Sequence, residues 1–308
     1  MSVTRCAQAA SIGPRPRPWR MLAVVTGWGA CFVAIEFGMA FAPPLWFAAL
    51  RALTAGVALL GVGLMSGRPM PRRRSWPTIG LLGAVNVTLA FAAMFVATGG
   101  LATGIAAMLS NAQPLLIILP AWVLYRERPD LRTIAGMLVG FAGLFAVAIP
   151  GGLGGGAVLA LGAAVFTTAG TLIARRLTGV DLVMLSAWQF LLGGLLLAIW
   201  AGVAEGAPRI AWSLGFLGAL AFLSLIGTAA TYLLWFAEVQ RAPLTAVTGW
   251  TMLTPVIGAA FGWILLGERF RPIQFAGIAL VAAGMALILL RRKADPTTEG
   301  RVMVARSD

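Results

Sequence analysis

The stretch WVLYRER at residues 122–128 returns as WILLGER at residues 263–269. Four of the seven positions are identical, and the copies lie 141 residues apart (263 minus 122). The same offset carries Pro114 onto Pro255, Gly136 onto Gly277 and Gly143 onto Gly284. One constant register over about thirty residues marks an internal duplication.

Composition shows what kind of unit was duplicated. Of 308 residues, 60% are apolar and 11% charged, against about 25% charged in an ordinary water-soluble domain. A helix needs about twenty apolar residues to cross a hydrocarbon core of roughly 30 Å. Such runs recur at 21–41, 45–66, 77–98, 101–124, 131–149, 156–176, 182–203, 212–238, 243–266 and 272–290. Lipid offers backbone groups no partner, so spans must be helices or closed barrels; the short alternating segments of a barrel are absent. The expected fold is an all-α integral membrane protein of ten transmembrane helices. The expected organisation is a basic tail (1–20), a first five-helix repeat (21–149), a linker (150–155), a second five-helix repeat (156–291) and a second tail (292–308).

The formal charge of +13 is carried almost wholly by arginines in short loops and tails. No basic stripe with interleaved aromatics exists on a soluble domain, so nucleic acid is not an expected partner. The proline-rich start RPRPWR (15–20) suits anionic lipid headgroups instead. The first apolar run is longer than a signal-peptide core and no small-residue cleavage site follows it, so it is read as a retained helix. Cys6 and Cys31 sit at different depths, and no cysteine pattern suggests a disulfide or a metal site. The chain has no histidine, which excludes His ligands and Ser-His-Asp chemistry. No GxxxxGK[ST] loop is present, and no cofactor is implied.

Basic residues in short loops stay on the cytoplasmic side. With the N-terminus inside, nineteen basic residues fall on the inner side and three, Arg209, Arg269 and Arg271, on the outer. Both termini are then cytoplasmic. Because each half holds an odd number of helices, the two copies run in opposite orientations. Inverted repeats of this kind are a recurrent architecture of secondary transporters, with the site near the midplane.

Further stretches add to the duplicated box: WGACFVAIEFG (28–38), PPLWFAALRALTAG (43–56), and the proline ahead of each box with a glycine-rich helix after it. In this order, over about residues 20–292, the chain resembles the drug/metabolite transporter superfamily, specifically its EamA-type ten-helix exporters. The resemblance implies an inverted-repeat fold and export of small metabolites, often amino acids, across the bacterial inner membrane. Cys31 and Glu36 in helix one depart from the pattern of many relatives.

Pro114 and Pro255 fall near the middle of helices four and nine, where proline removes a donor and crowds the carbonyl four residues earlier. Those carbonyls belong to Ser110 and Thr251; Asn111, Gln113 and Thr254 sit alongside. The kinks either shape packing or line a transport cavity. In helix eight, Ser224, Thr228, Thr231, Tyr232, Trp235 and Glu238 follow helical spacing. Such a polar face belongs in the bundle interior, with Thr228, Tyr232 and Trp235 as candidate cavity residues. Trp28, Asn86 and Gln189 are candidates for either cavity lining or interhelical bonding. Glu238, three residues from Arg241, reads as a structural, interfacial group. Glu36 and Arg51 lie at similar depth on consecutive helices, so they are expected to pair, with proton coupling or substrate contact at Glu36, or snorkelling to the interface, as the alternatives. The motifs Gly136-x-x-x-Gly140 and Gly258-x-x-x-Gly262 predict close helix packing.

A secondary transporter of small molecules accounts for these features. A membrane enzyme would need a cluster of carboxylates, histidines or serines at one face, and a channel would need rings of like residues; neither pattern is present. The sequence carries no signal of oligomeric state.

Overall fold

The computed structural model describes residues 15–101, 103–125, 130–148 and 154–289. The RER end of the first box (126–128), most of the glycine linker, residues 1–14 of the first tail and residues 290–308 lie outside them. Every regular element described is helical. We label the helical spans α1 (Pro18–Met39), α2 (Pro44–Met65), α3 (Arg73–Gly100), α4 (Ile105–Tyr125), α5 (Leu131–Ala148), α6 (Gly155–Arg176), α7 (Leu182–Ala204), α8 (Leu214–Arg241), α9 (Leu244–Leu266) and α10 (Pro272–Leu289). Eight of them, all but α5 and α10, are long and apolar enough over their described residues to cross a membrane. The chain is a multi-pass membrane protein.

Proline opens α1, α2 and α10 in the first turn, where its missing N–H costs nothing. Large apolar side chains such as Val57, Val62, Leu138, Leu195 and Ile199 are exposed, as a surface facing acyl chains requires. Burial therefore cannot be driven by escape from water alone; close packing and polar bonds between helices hold the bundle.

The pairing of elements mirrors the duplication. α2 packs along α7, and α5 along α10. The antiparallel α2–α7 pair is tied at both ends: Arg68 pairs with Asp181 at 3.1 Å, and Glu205 accepts from the backbone N–H groups of Leu45 and Trp46 at 2.9 and 3.1 Å. Between α5 and α10 the glycines meet reciprocally. A Cβ on Gly143 would stand 2.6 Å from the Gly277 carbonyl, and one on Gly284 would stand 2.5 Å from the Gly136 carbonyl. Gly143 meets Gly277, and their counterparts Gly284 and Gly136 meet in turn, the signature of a two-fold contact. Gly258 packs on the Cβ of Ala107 in α4 and on Gly29 in α1.

Two pairs of irregularities also recur. α4 is interrupted at 111–112, between helices ending at Ser110 and starting at Gln113, and α9 is interrupted at Met252, after Thr251. The offset of 141 residues carries Asn111 onto Met252. Pro114 and Pro255 face each other across one small void of about 10 Å³. Helices α3 and α8 each widen into a π-helical segment, Gly83–Leu89 and Phe222–Ala230, a form found frequently at functional sites.

Backbone contact at the α5–α10 glycines yields a prediction. Gly143→Ala and Gly284→Ala should each destabilise the purified protein by about 1–3 kcal/mol through overpacking. Gly61→Ala, whose Cβ would meet nothing within 4 Å, should leave the melting temperature the same or slightly higher in the same detergent, since alanine favours a helix interior over glycine by about 1 kcal/mol.

Candidate functional site

A cavity of about 50 Å³ lies where α1, α2, α3, α4, α6 and α8 converge. That is room for a few water molecules, at roughly 10–15 Å³ each. Of the residues singled out in the sequence, Trp28, Ser110, Asn111, Gln113, Tyr232 and Arg51 line it. Asn86, Gln189, Thr228, Trp235, Thr251 and Thr254 do not.

Arg51 is the centre of the wall. It is buried, with 2% of its surface exposed, and no carboxylate pairs with it among the described residues. Its Nε donates to Thr228 Oγ1 at 2.7 Å, and its Nη2 to the Gly227 carbonyl at 3.2 Å and to Cys31 Sγ at 3.6 Å. The Cys31 thiol donates onward to the same carbonyl at 3.7 Å. Both oxygen acceptors come from the π segment of α8, where the widened backbone brings Gly227 and Thr228 to the guanidinium. The Phe91 ring lies 4.6 Å and the Phe95 ring 5.8 Å from the Arg51 Cζ, the cation–π geometry that favours a desolvated guanidinium.

The expected Glu36–Arg51 pair does not form. Glu36 is exposed on α1, whereas Cys31 on the same helix meets Arg51. Depth was matched, but direction was not. Five residues of helix rotate a side chain by roughly 140° from its starting face, which carries Glu36 away from the face that Cys31 presents.

The aromatic wall is built from α1, α7 and α8. Trp28 meets Tyr232 at 5.6 Å and Trp235 at 5.1 Å between ring centroids, and Phe190 meets Tyr232 at 5.0 Å. Trp28 Nε1 donates to Thr231 Oγ1 at 3.1 Å, which fixes the indole against α8. Trp235 thus supports the wall from behind. Thr228 acts through Arg51, and Asn86 reaches Gln189 at 3.4 Å, an α3–α7 bond.

The break in α4 supplies the polar side. Asn111 Nδ2 donates to the Ala107 carbonyl at 2.7 Å, and Gln113 Nε2 donates to Thr171 Oγ1 on α6 at 2.6 Å. Ser110 Oγ is buried and without a partner. At the second break, Thr251 Oγ1 turns back to the Thr248 carbonyl at 2.8 Å, and Thr254 is fully buried outside the cavity. The duplicated kinks are therefore used unequally. Cys31, Phe91, Met94 and Thr167 also line the cavity and were not singled out beforehand. Cys31 sits three residues after Trp28 and shares its helix face, a spacing that could have found it.

At one end of the bundle a buried carboxylate closes α1 onto α8. Glu238, with no exposed surface, accepts from Arg20 Nη1 at 3.1 Å, Arg241 Nη2 at 2.6 Å and the Arg17 backbone N–H at 3.1 Å. Arg241 reaches on to the Arg15 carbonyl at 2.8 Å. At the same end Arg175 donates to the carbonyls of Val239 and Ala242.

A helical, multi-pass membrane bundle enclosing a mixed polar and aromatic cavity has the form of a membrane transport protein. The chain belongs to the EamA-like transporter family, which matches it twice, over residues 19–149 and 154–290. It is 29% identical over 290 residues to "Uncharacterized transporter YvbV" of Bacillus subtilis (strain 168), covering 92% of this chain and 94% of that protein. It is 28% identical over 283 residues to a "Probable amino-acid metabolite efflux pump" of Salmonella typhimurium, covering 86% and 91%. A crystal structure 20% identical in sequence superposes with a TM-score of 0.71, covering 88% of this chain and 96% of its own, and so shares the fold.

The Glu238 cluster carries the prediction for this region. Removing the carboxylate leaves Arg20 and Arg241 facing each other without their shared acceptor. Glu238→Ala should lower stability by about 1.5–3 kcal/mol, the scale of a hydrogen bond to a charged group. Differential scanning fluorimetry of parent and variant checks it, and an unchanged melting temperature would show that the cluster contributes nothing to stability.

Proposed function

We propose that this protein is a secondary transporter. It exports small metabolites, with amino acids or related amphipathic compounds as the working substrate class, across the bacterial inner membrane by alternating access. The observation that carries the reading is the meeting of two matched helix breaks beside a polar and aromatic cavity. Non-helical backbone at membrane depth is tolerated only inside protein or against a water-filled space, and broken helices at a repeat interface are where such carriers bind. The relative named as an amino-acid metabolite efflux pump supports the direction and the substrate class.

On this reading all ten helices cross the membrane as two inverted five-helix repeats, with both termini in the cytoplasm. The reciprocal glycines of α5 and α10, the twin breaks and the twin π segments support a two-fold relation between the halves. The Glu238 cluster then seals the cytoplasmic end in this conformation. Opening toward the cytoplasm requires α1 and α8 to separate there. The transporter names within the family speak against an enzyme.

Transport in proteoliposomes tests the proposal. A labelled panel of amino acids and related amphipathic compounds, N-acylated amino acids and aryl acids among them, should include substrates whose uptake is accelerated by the same unlabelled compound on the far side, since a carrier exchanges and a channel does not. Asn111→Ala and Gln113→Ala should reduce that flux by about 2–10-fold, the worth of one hydrogen bond, at near-normal expression. Reporters at residue 308 and in the 68–74 loop should register inside, and a tag at 151–156 outside. Absence of counterflow for every compound, or an external C-terminus, would overturn the reading.

A further inference from the structure

The Arg51 guanidinium is a permanent charge held at depth by neutral groups alone. Thr228, Gly227 and Cys31 occupy Nε and Nη2, while Nη1 has no partner. Ser110 Oγ in the same wall is also unpartnered, and both residues are more than nine-tenths buried. Elsewhere in the protein, three described arginines at helix ends meet carboxylates: Arg20 and Arg241 meet Glu238, and Arg68 meets Asp181. No acidic side chain lines the cavity among the described residues. A buried cation with a free N–H calls for an anion, and here the wall leaves that anion to be brought in.

We infer that Arg51 and Ser110 form the headgroup subsite of the cavity, and that the transported compound is an organic monocarboxylate whose carboxylate docks there. The inference rests on the reading of the cavity as the transport site and narrows its substrate. One carboxylate offers two acceptor oxygens, matching Nη1 and the Ser110 hydroxyl. A phosphate would bring a second negative charge for which the wall holds no second cation. A free α-amino acid would place its ammonium within a few ångströms of the guanidinium, with no carboxylate to meet it. Aliphatic or aryl acids and N-acylated amino acids fit; their apolar bodies lie against Trp28, Phe32, Phe91, Met94 and Tyr232.

The test uses three probes with one aromatic body and different headgroups: phenylacetate, phenylacetamide and phenylalanine. Apparent dissociation constants for the purified full-length protein come from concentration-dependent thermal stabilisation. Flux of each labelled probe is measured in proteoliposomes. Phenylacetate should bind at least tenfold more tightly than the amide and the zwitterion. Arg51→Gln should remove that preference while leaving the weak amide binding in place, and Arg51→Lys should retain part of it. Should Arg51→Gln fail to fold, the headgroup ranking in the parental protein still decides. Equal binding of the three probes, tighter binding of phenylalanine, or binding of none overturns the assignment. Asn111→Ala separates the two levels of the argument. If it weakens all probes while Arg51→Gln spares the carboxylate preference, the headgroup subsite is wrong and the cavity stands. If neither variant alters binding, the cavity reading falls with it.

Discussion

Hydrocarbon supplies no hydrogen-bond partner, so a helix crossing it must satisfy its own backbone. Every departure from regular helix in this protein obeys that constraint. The α4 break frees backbone groups beside Pro114, and the segment is covered by α6 and α9. The α8 π segment leaves the Gly227 carbonyl available to Arg51, Cys31 and Thr231. Irregular backbone is thereby confined to the interior, and the interior is where a solute can be met. Site and scaffold follow from one rule.

The same rule sets the electrostatics. A guanidinium at depth needs acceptors, and the cheapest ones in a helical bundle are carbonyls released by a local change of helical pitch. Residues Gly227 and Thr228 act as such acceptors, while Phe91 and Phe95 cover the guanidinium with ring faces. The ion pairs of the described residues, at Glu238 and Asp181, lie at helix ends. Arg51, buried without a carboxylate partner among the described residues, lies within α2.

Much of this was legible in the sequence, and the limits have physical causes. Helix positions follow from apolar length, and the interruption of α4 follows from a proline whose missing N–H leaves an acceptor behind. Trp28, Ser110, Asn111, Gln113 and Tyr232 were traceable to the cavity because polar or amphipathic residues at depth have few other places to go. Direction around a helix was not legible. Glu36 and Arg51 share a depth, yet about 100° of rotation per residue decides who meets whom, and the tilt that sets this phase comes from neighbouring helices. The π segments carry no composition of their own: GAVNVTL and FLSLIGTAA read as ordinary helix. Thr251 and Thr254 mirror Ser110 and Gln113 in the sequence, but a repeat fixes equivalent backbone only. Divergent side chains made one break part of the cavity and left the other beside it.

The reciprocal glycine contact between α5 and α10 has a consequence for assembly. Its two faces belong to segments separated by 141 residues, and α10 closes the described chain. If α5 and α10 cross the membrane, as proposed above, α5 has a bare glycine surface and no partner to bury it while the ribosome is still producing the second half. The bundle therefore acquires its last tight backbone-to-backbone seam only when α10 is inserted. A chain stalled before residue 272 would hold an unmatched groove along α5.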